Sequence, residues 1–133
     1  MKVCRQLSVF LENKPGTLAR VSGALAVRGI NIVAFSISDA VDHGVLRMVV
    51  SNPMQAAHLL GDGGMMVVES DVLALDLPNK PGALARLAGK LSKARVNIEY
   101  AYGTTDGTRG KAQVIFKVDH VERARKALGR KQS

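Results

Sequence analysis

Between Val3 and Leu11 the apolar residues Val3, Leu7, Val9 and Leu11 share one parity, while Cys4, Gln6 and Ser8 hold the other. A period of two predicts a β-strand with one face buried. An Asn-Lys-Pro-Gly turn follows, after which Leu18, Val21, Ser22 and Leu25 fall at i, i+3, i+4 and i+7, the stripe of an amphipathic helix that Gly29 ends. Ile30 to Ser38 and Val45 to Ser51 are rich in apolar and β-branched residues, with Asp42-His43-Gly44 between them as a hairpin turn. Asn52-Pro53 opens a second helix that runs through Leu60, with proline in its first turn. Met65 to Val68 read as a fourth strand, continuing into another alternating segment at Val72 to Leu77.

That second segment begins a repeat. At an offset of 66, Asn13-Lys14-Pro15-Gly16-Thr17-Leu18-Ala19-Arg20 falls on Asn79-Lys80-Pro81-Gly82-Ala83-Leu84-Ala85-Arg86, with seven of eight positions identical. Gly23 and Gly89, Leu25 and Leu91, Asn31-Ile32 and Asn97-Ile98, and Gly44 and Gly110 match without a gap. The chain is therefore a tandem duplication, and the fold has to be read per copy. In the second copy Leu84, Leu87, Ala88 and Leu91 repeat the helical stripe. Asp119 and Glu122 have the spacing of a capping box, and Gly129 closes the last helix. Arg95 replaces Gly29, which predicts an irregular or less stable helix exit.

The element order is β-α-β-β-α-β, an α+β, ferredoxin-like plan with two helices on one face of an antiparallel sheet. We expect one unit over residues 1–70 and another over 71–133. Only four residues follow Gly129, so the second unit is expected to lack its last strand and to leave a sheet edge in need of a partner or cover. Units of this size bury little surface alone and gain by packing together or dimerising.

A Pro-Gly at the start of a helix leaves the first backbone N–H groups unpaired beside a residue without a Cβ. Such a site favours an anion. Asn13 or Asn79 adds an amide that donates and accepts, and Asn31 or Asn97 supplies another at the start of the next strand. Together these groups suit a small zwitterion, its carboxylate on the helix N–H groups and its ammonium on an amide oxygen. Asparagine before Pro-Gly is also a common turn residue and helix cap, and asparagine after a helix end also bonds local backbone.

Composition narrows the alternatives. At 47% hydrophobic and 23% charged the chain is globular, and no run approaches the length of a membrane helix, so a soluble, cytoplasmic protein without membrane contact is expected. The lone Cys4 forms no internal disulfide. A net charge of +8, concentrated in the second half and in Arg123, Arg125, Lys126, Arg130 and Lys131, raises nucleic acid as an alternative partner. Arg109 to Phe116 comes near an RNA-recognition signature, but Lys111 and Gln113 stand where its stacking rings belong, so nucleic acid is the lesser reading. His43, His58 and His120 lack metal-ligand spacing, and no nucleophile with a base, carboxylate pair or nucleotide loop is visible, so neither enzymatic activity, a metal nor a cofactor is expected.

Leu-x-Asn-x-Pro-Gly-x-Leu-Ala, followed by a helix and Gly-Ile-Asn-Ile, resembles the ACT domain, a small-molecule-sensing module of amino-acid metabolism. The resemblance covers nearly the whole chain as two copies and is similar to free-standing tandem ACT proteins. It implies a regulatory protein that binds a free amino acid; with small units and an open sheet edge, a homodimer is expected, and a metabolic enzyme as the regulated partner. The ligand is implied to lie at an interface between ACT units. Asn13, Lys14, Pro15, Gly16, Thr17 and Leu18 with Asn31 and Ile32 are implied to line one site. Asn79, Pro81, Gly82, Ala83 and Leu84 with Asn97 and Ile98 are implied to line the other. Pro78, Arg95 and the absent last strand set the second site apart from the pattern.

Overall fold

The computed structural model describes residues 1–39, 43–105 and 110–129. Ten elements follow one another: β1 (Lys2–Glu12), α1 (Thr17–Val27), β2 (Ile32–Asp39), β3 (His43–Val50), α2 (Pro53–Asp62), β4 (Val67–Pro78), α3 (Ala83–Lys93), β5 (Ile98–Thr105), β6 (Lys111–Val118) and α4 (Val121–Leu128). The two strands expected around residue 70 are a single strand, β4. His43 and Gly44, expected in a turn, already belong to β3; Asp42 lies outside the described residues.

The chain forms two compact units. The first is Arg5–Ser70, with strand neighbours β2-β3-β1 and the opening residues of β4 beside β1, where Phe10 N donates to Met66 O at 3.1 Å. Its core is built from Leu7, Val9, Leu11, Val21, Leu25, Leu46, Met48 and Leu60. The second unit is Asp71–Ser133 together with Met1–Cys4, and its strand neighbours are β5-β6-β4 with the start of β1 next to β4. Its core gathers Leu73, Leu75, Leu77, Leu87, Leu91, Phe116, Val118 and Leu128, with Met1 packed against it. Among the described residues no strand follows α4, yet the position beside β4 is occupied by the chain's own first residues. Met1–Cys4, which the repeat arithmetic assigns to the first unit, thus cover the edge that looked bare.

The repeat carries a register change that the ungapped match hides. Leu11 faces Gly44 and Val9 faces Leu46 across β1 and β3, whereas Leu77 faces Ala112 and Leu75 faces Val114 across β4 and β6. The offset between copies is therefore 66 up to β5 and 68 from β6 onward, and Gly44 is equivalent to Ala112, not Gly110. A two-residue insertion in the connection between β5 and β6 accounts for it.

The helices turn differently from the expected stripe. Thr17, Val21 and Leu25 are buried in α1, and Ala83, Leu87 and Leu91 in α3, while Leu18 and Leu84 are 37% and 58% exposed. Spacing of i and i+4 lets either residue of the pair head the stripe; the smaller one enters the core and the leucine is left at its rim. Arg95 adopts φ 60, the left-handed conformation that Gly29 adopts at φ 70. Ile30 N donates to Leu25 O at 3.0 Å and Val96 N to Leu91 O at 2.9 Å, so the two exits are alike and the expected irregularity of the second is absent. The predicted capping box does not form. His120 is the N-cap of α4 without a side-chain bond, and Asp119 Oδ1 accepts instead from Asn97 N at 2.9 Å.

Candidate functional site

Both β-α turns are built alike. Lys14 N donates to Glu12 O (3.0 Å) and Lys80 N to Pro78 O (2.9 Å), folding each turn back on its strand. Gly16 and Gly82 then take φ 89, a left-handed conformation that favours glycine and swings the chain into the helix. The first i to i−4 bonds run from Arg20 N to Gly16 O (3.0 Å) and from Arg86 N to Gly82 O (2.9 Å); before them Ala83 N donates to Lys80 O at 3.3 Å, and the N–H groups of Leu18, Ala19, Leu84 and Ala85 have no carbonyl one turn back. Neither helix has a side-chain cap. The amides of Asn13 and Asn79 are not used as caps, and both residues are exposed.

A cavity opens beside each turn. That of the first unit, about 500 Å³, is lined by Asn13, Lys14, Gly16, Thr17 and Leu18 and, from the strands, by Glu12, Ile37 and Asp39. Lys14 Nζ lies 3.0 Å from Glu12 Oε2, and Thr17 Oγ1 donates to Lys14 O at 3.1 Å. That of the second unit, about 490 Å³, is lined by Asn79, Lys80, Ala83 and Leu84 and by Ala101, Tyr102, Gly103, Val114 and Phe116. Volumes of this size suit a small metabolite. Pro15, Pro81 and Gly82 shape the turns without lining the cavities.

Asn31, Ile32, Asn97 and Ile98 lie elsewhere in their units. Each stands at the far end of α1 or α3, and an eleven-residue helix spans about 16 Å. Asn31 N accepts no role at the turn: it donates to Ser51 Oγ (2.9 Å), and Ser51 N donates back to Asn31 O (2.9 Å). Asn97 and Asp119 repeat the exchange, Asp119 N donating to Asn97 O at 3.1 Å. Ile32 and Ile98 pack against their own cores. Within one unit, then, the turn asparagine and the strand asparagine do not meet.

Glu12, Ile37, Asp39, Tyr102, Gly103, Val114 and Phe116 line the cavities although the repeated motif does not contain them. Strand register brings them there, and hairpin pairing was the signal that could have found them. Among the described residues no cluster of three or more His, Cys, Asp or Glu could hold a metal, and no helix is long and apolar enough to cross a membrane.

A family model described as an ACT domain pair matches residues 1–132. Protein BT0572 from Bacteroides thetaiotaomicron is 39% identical, with a TM-score of 0.89 over 95% of this chain and 86% of that one. The regulatory subunit of aspartate kinase from Thermus thermophilus shares the fold at 18% identity, with a TM-score of 0.71 over 96% of this chain and 95% of its own. The corresponding subunit from Thermus flavus gives 20% and 0.66, over the same shares. No curated protein matches the chain. With two copies of the turn, two units of the βαββα plan and a family model spanning both, the chain belongs to the ACT domain-pair family.

Proposed function

We propose that the protein is an amino-acid-binding regulatory module whose ligand sits at the β-α turns. The observation that carries this reading is the coincidence of each repeated turn, Asn13 to Leu18 and Asn79 to Leu84, with a cavity of metabolite size. Free helix N–H groups and an exposed asparagine amide offer a carboxylate and an ammonium their partners. The fold shared with regulatory subunits of aspartate kinase supports a role in controlling a metabolic enzyme. Catalysis has no support from the groups around the turns.

A homodimer follows from the same reading. Strand β2 ends the order of neighbours and carries Val33, Phe35 and Ile37 at 50%, 55% and 50% exposure, an apolar row on an open edge that a second copy can pair by two-fold symmetry. Asn31 and Ile32, or Asn97 and Ile98, then take part only when another copy brings them to a turn. A ligand that favours one arrangement of copies over another regulates; one that binds both equally does not.

Thermal unfolding of the full chain against the twenty amino acids tests the reading. A ligand at a hundred times its dissociation constant adds about 2.7 kcal/mol. At least one amino acid is expected to raise the midpoint. If none does while RNA does so at low salt, the basic nucleic-acid reading replaces this one.

A further inference from the structure

The two turn cavities are nearly equal in volume but opposite in chemistry. In the first unit, Glu12 and Asp39 put two carboxylates on the lining and Lys14 is tied to Glu12 at 3.0 Å. In the second, Pro78 stands where Glu12 stands, and Lys80 is the single charged residue among the described lining. No carboxylate among the described residues pairs with Lys80. At the first turn the lysine's charge is therefore already met by Glu12, whereas at the second Lys80 is left to meet a ligand's carboxylate.

The strand positions Ala101, Gly103, Val114 and Phe116, which line the second cavity, also differ from their register equivalents in the first unit, of which Ile37 alone lines the first cavity among the described residues. By strand register, Ala101 replaces Phe35, Gly103 replaces Ile37, Val114 replaces Leu46 and Phe116 replaces Met48. Three bulky side chains have been cut back around the second turn, and the remaining floor is a phenyl ring only 1% exposed. A side chain at Gly103 would be refused by the backbone itself, since a Cβ there would stand 2.7 Å from Gln113 O. The space so opened is bounded by Leu77, Ala83, Ala101, Val114 and Phe116, and an apolar group loses its hydration there without leaving a polar partner unmet.

Building on the amino-acid-binding reading above, we propose that the second unit is the one that binds an amino acid with an apolar side chain, branched aliphatic or phenyl. The side chain lies against Ala101, Gly103 and Phe116 and the carboxylate meets Lys80. The first unit, whose cavity is lined by Glu12 and Asp39 and walled by Ile37, does not take this class.

Calorimetric titration of the full chain with leucine, phenylalanine, serine, aspartate and lysine provides the test. Leucine or phenylalanine is expected to bind more tightly than the three polar amino acids. Ala101→Phe, which puts on the cavity lining the ring that Phe35 carries at the equivalent register position, is expected to weaken that binding by about tenfold or more. Lys80→Gln, an exposed position whose change leaves the core untouched, is expected to weaken it by about tenfold. Binding of the polar amino acids alone, or leucine affinity unmoved by Lys80→Gln, overturns this assignment and leaves the turns as ligand sites. Binding of no amino acid by any variant removes the reading on which it rests.

Discussion

Arg95→Gly should stabilise the protein. Arg95 holds φ 60, a conformation in which an L side chain crowds the following carbonyl at a cost of about 1–2 kcal/mol. Its equivalent Gly29 makes the same exit at φ 70 without that cost. Glycine adds freedom to the unfolded chain, which takes back about 0.4–1 kcal/mol. The Arg95 contact that matters to the fold is made by its carbonyl, which accepts from Arg123 Nη1 at 3.2 Å and survives the substitution. The net expectation is a gain of about 0.5–1 kcal/mol, or a rise of about 2–5 °C in the midpoint for a chain of this size. Differential scanning calorimetry of the substituted and parent proteins reads it directly. An unchanged or lowered midpoint refutes the equivalence of the two helix exits, and Gly29→Arg should move the midpoint in the opposite direction.

Gly16→Asp and Gly82→Asp place a carboxylate at the helix start where the ligand's own is expected; each should abolish binding at its turn, whereas Gly→Asn, which tolerates φ 89, should retain more of it in a calorimetric titration. Asn52→Ala removes the side chain that accepts from Gln55 N at 3.1 Å and should cost about 1 kcal/mol in urea unfolding, while His120→Ala, at a cap without a side-chain bond, should cost much less. Leu46→Ala, fully buried between β1 and β2, should lower stability by about 2–5 kcal/mol by the same assay. Deleting Met1–Cys4 should destabilise the second unit more than the first, read by amide exchange of Leu73 and Leu75 against Leu7 and Val9, since those four residues pack with Asp71–Ser133.

The repeat made most of the fold legible. Identical turns and helical periodicity placed α1 and α3, Asn52-Pro53 placed α2, and alternation in Val3 to Leu11 anticipated the burial of Leu7, Val9 and Leu11; α4 is present although the capping box that pointed to it does not form. What escaped was set by pairing between distant segments. The two-residue shift of β6 against β4 depends on loop length, which an ungapped match absorbs without trace. The covered edge depends on the start of the chain packing with a segment some seventy residues away. Leu18 and Leu84 looked like core because i, i+3 and i+4 spacing does not tell a stripe's centre from its rim. At the site, the turn motif pointed to Asn13 to Leu18 and to Asn79, Pro81, Gly82, Ala83 and Leu84; all of these but Pro15, Pro81 and Gly82 line a cavity, and Lys80 lines the second beside them. Asn31 and Asn97 exchange hydrogen bonds with Ser51 and Asp119 through their backbone N–H and C=O groups, which any residue could supply, so these bonds do not account for the amide side chain that recurs in both copies.

The central claim, that the repeated turns seat a free amino acid, is tested most directly by following backbone amide resonances of the full chain during titration with amino acids up to millimolar concentration. Shifts should concentrate on Lys80, Gly82, Ala83 and Leu84, or on their counterparts Lys14, Gly16, Thr17 and Leu18, and should saturate. Saturable shifts confined to residues away from both turns would contradict the account.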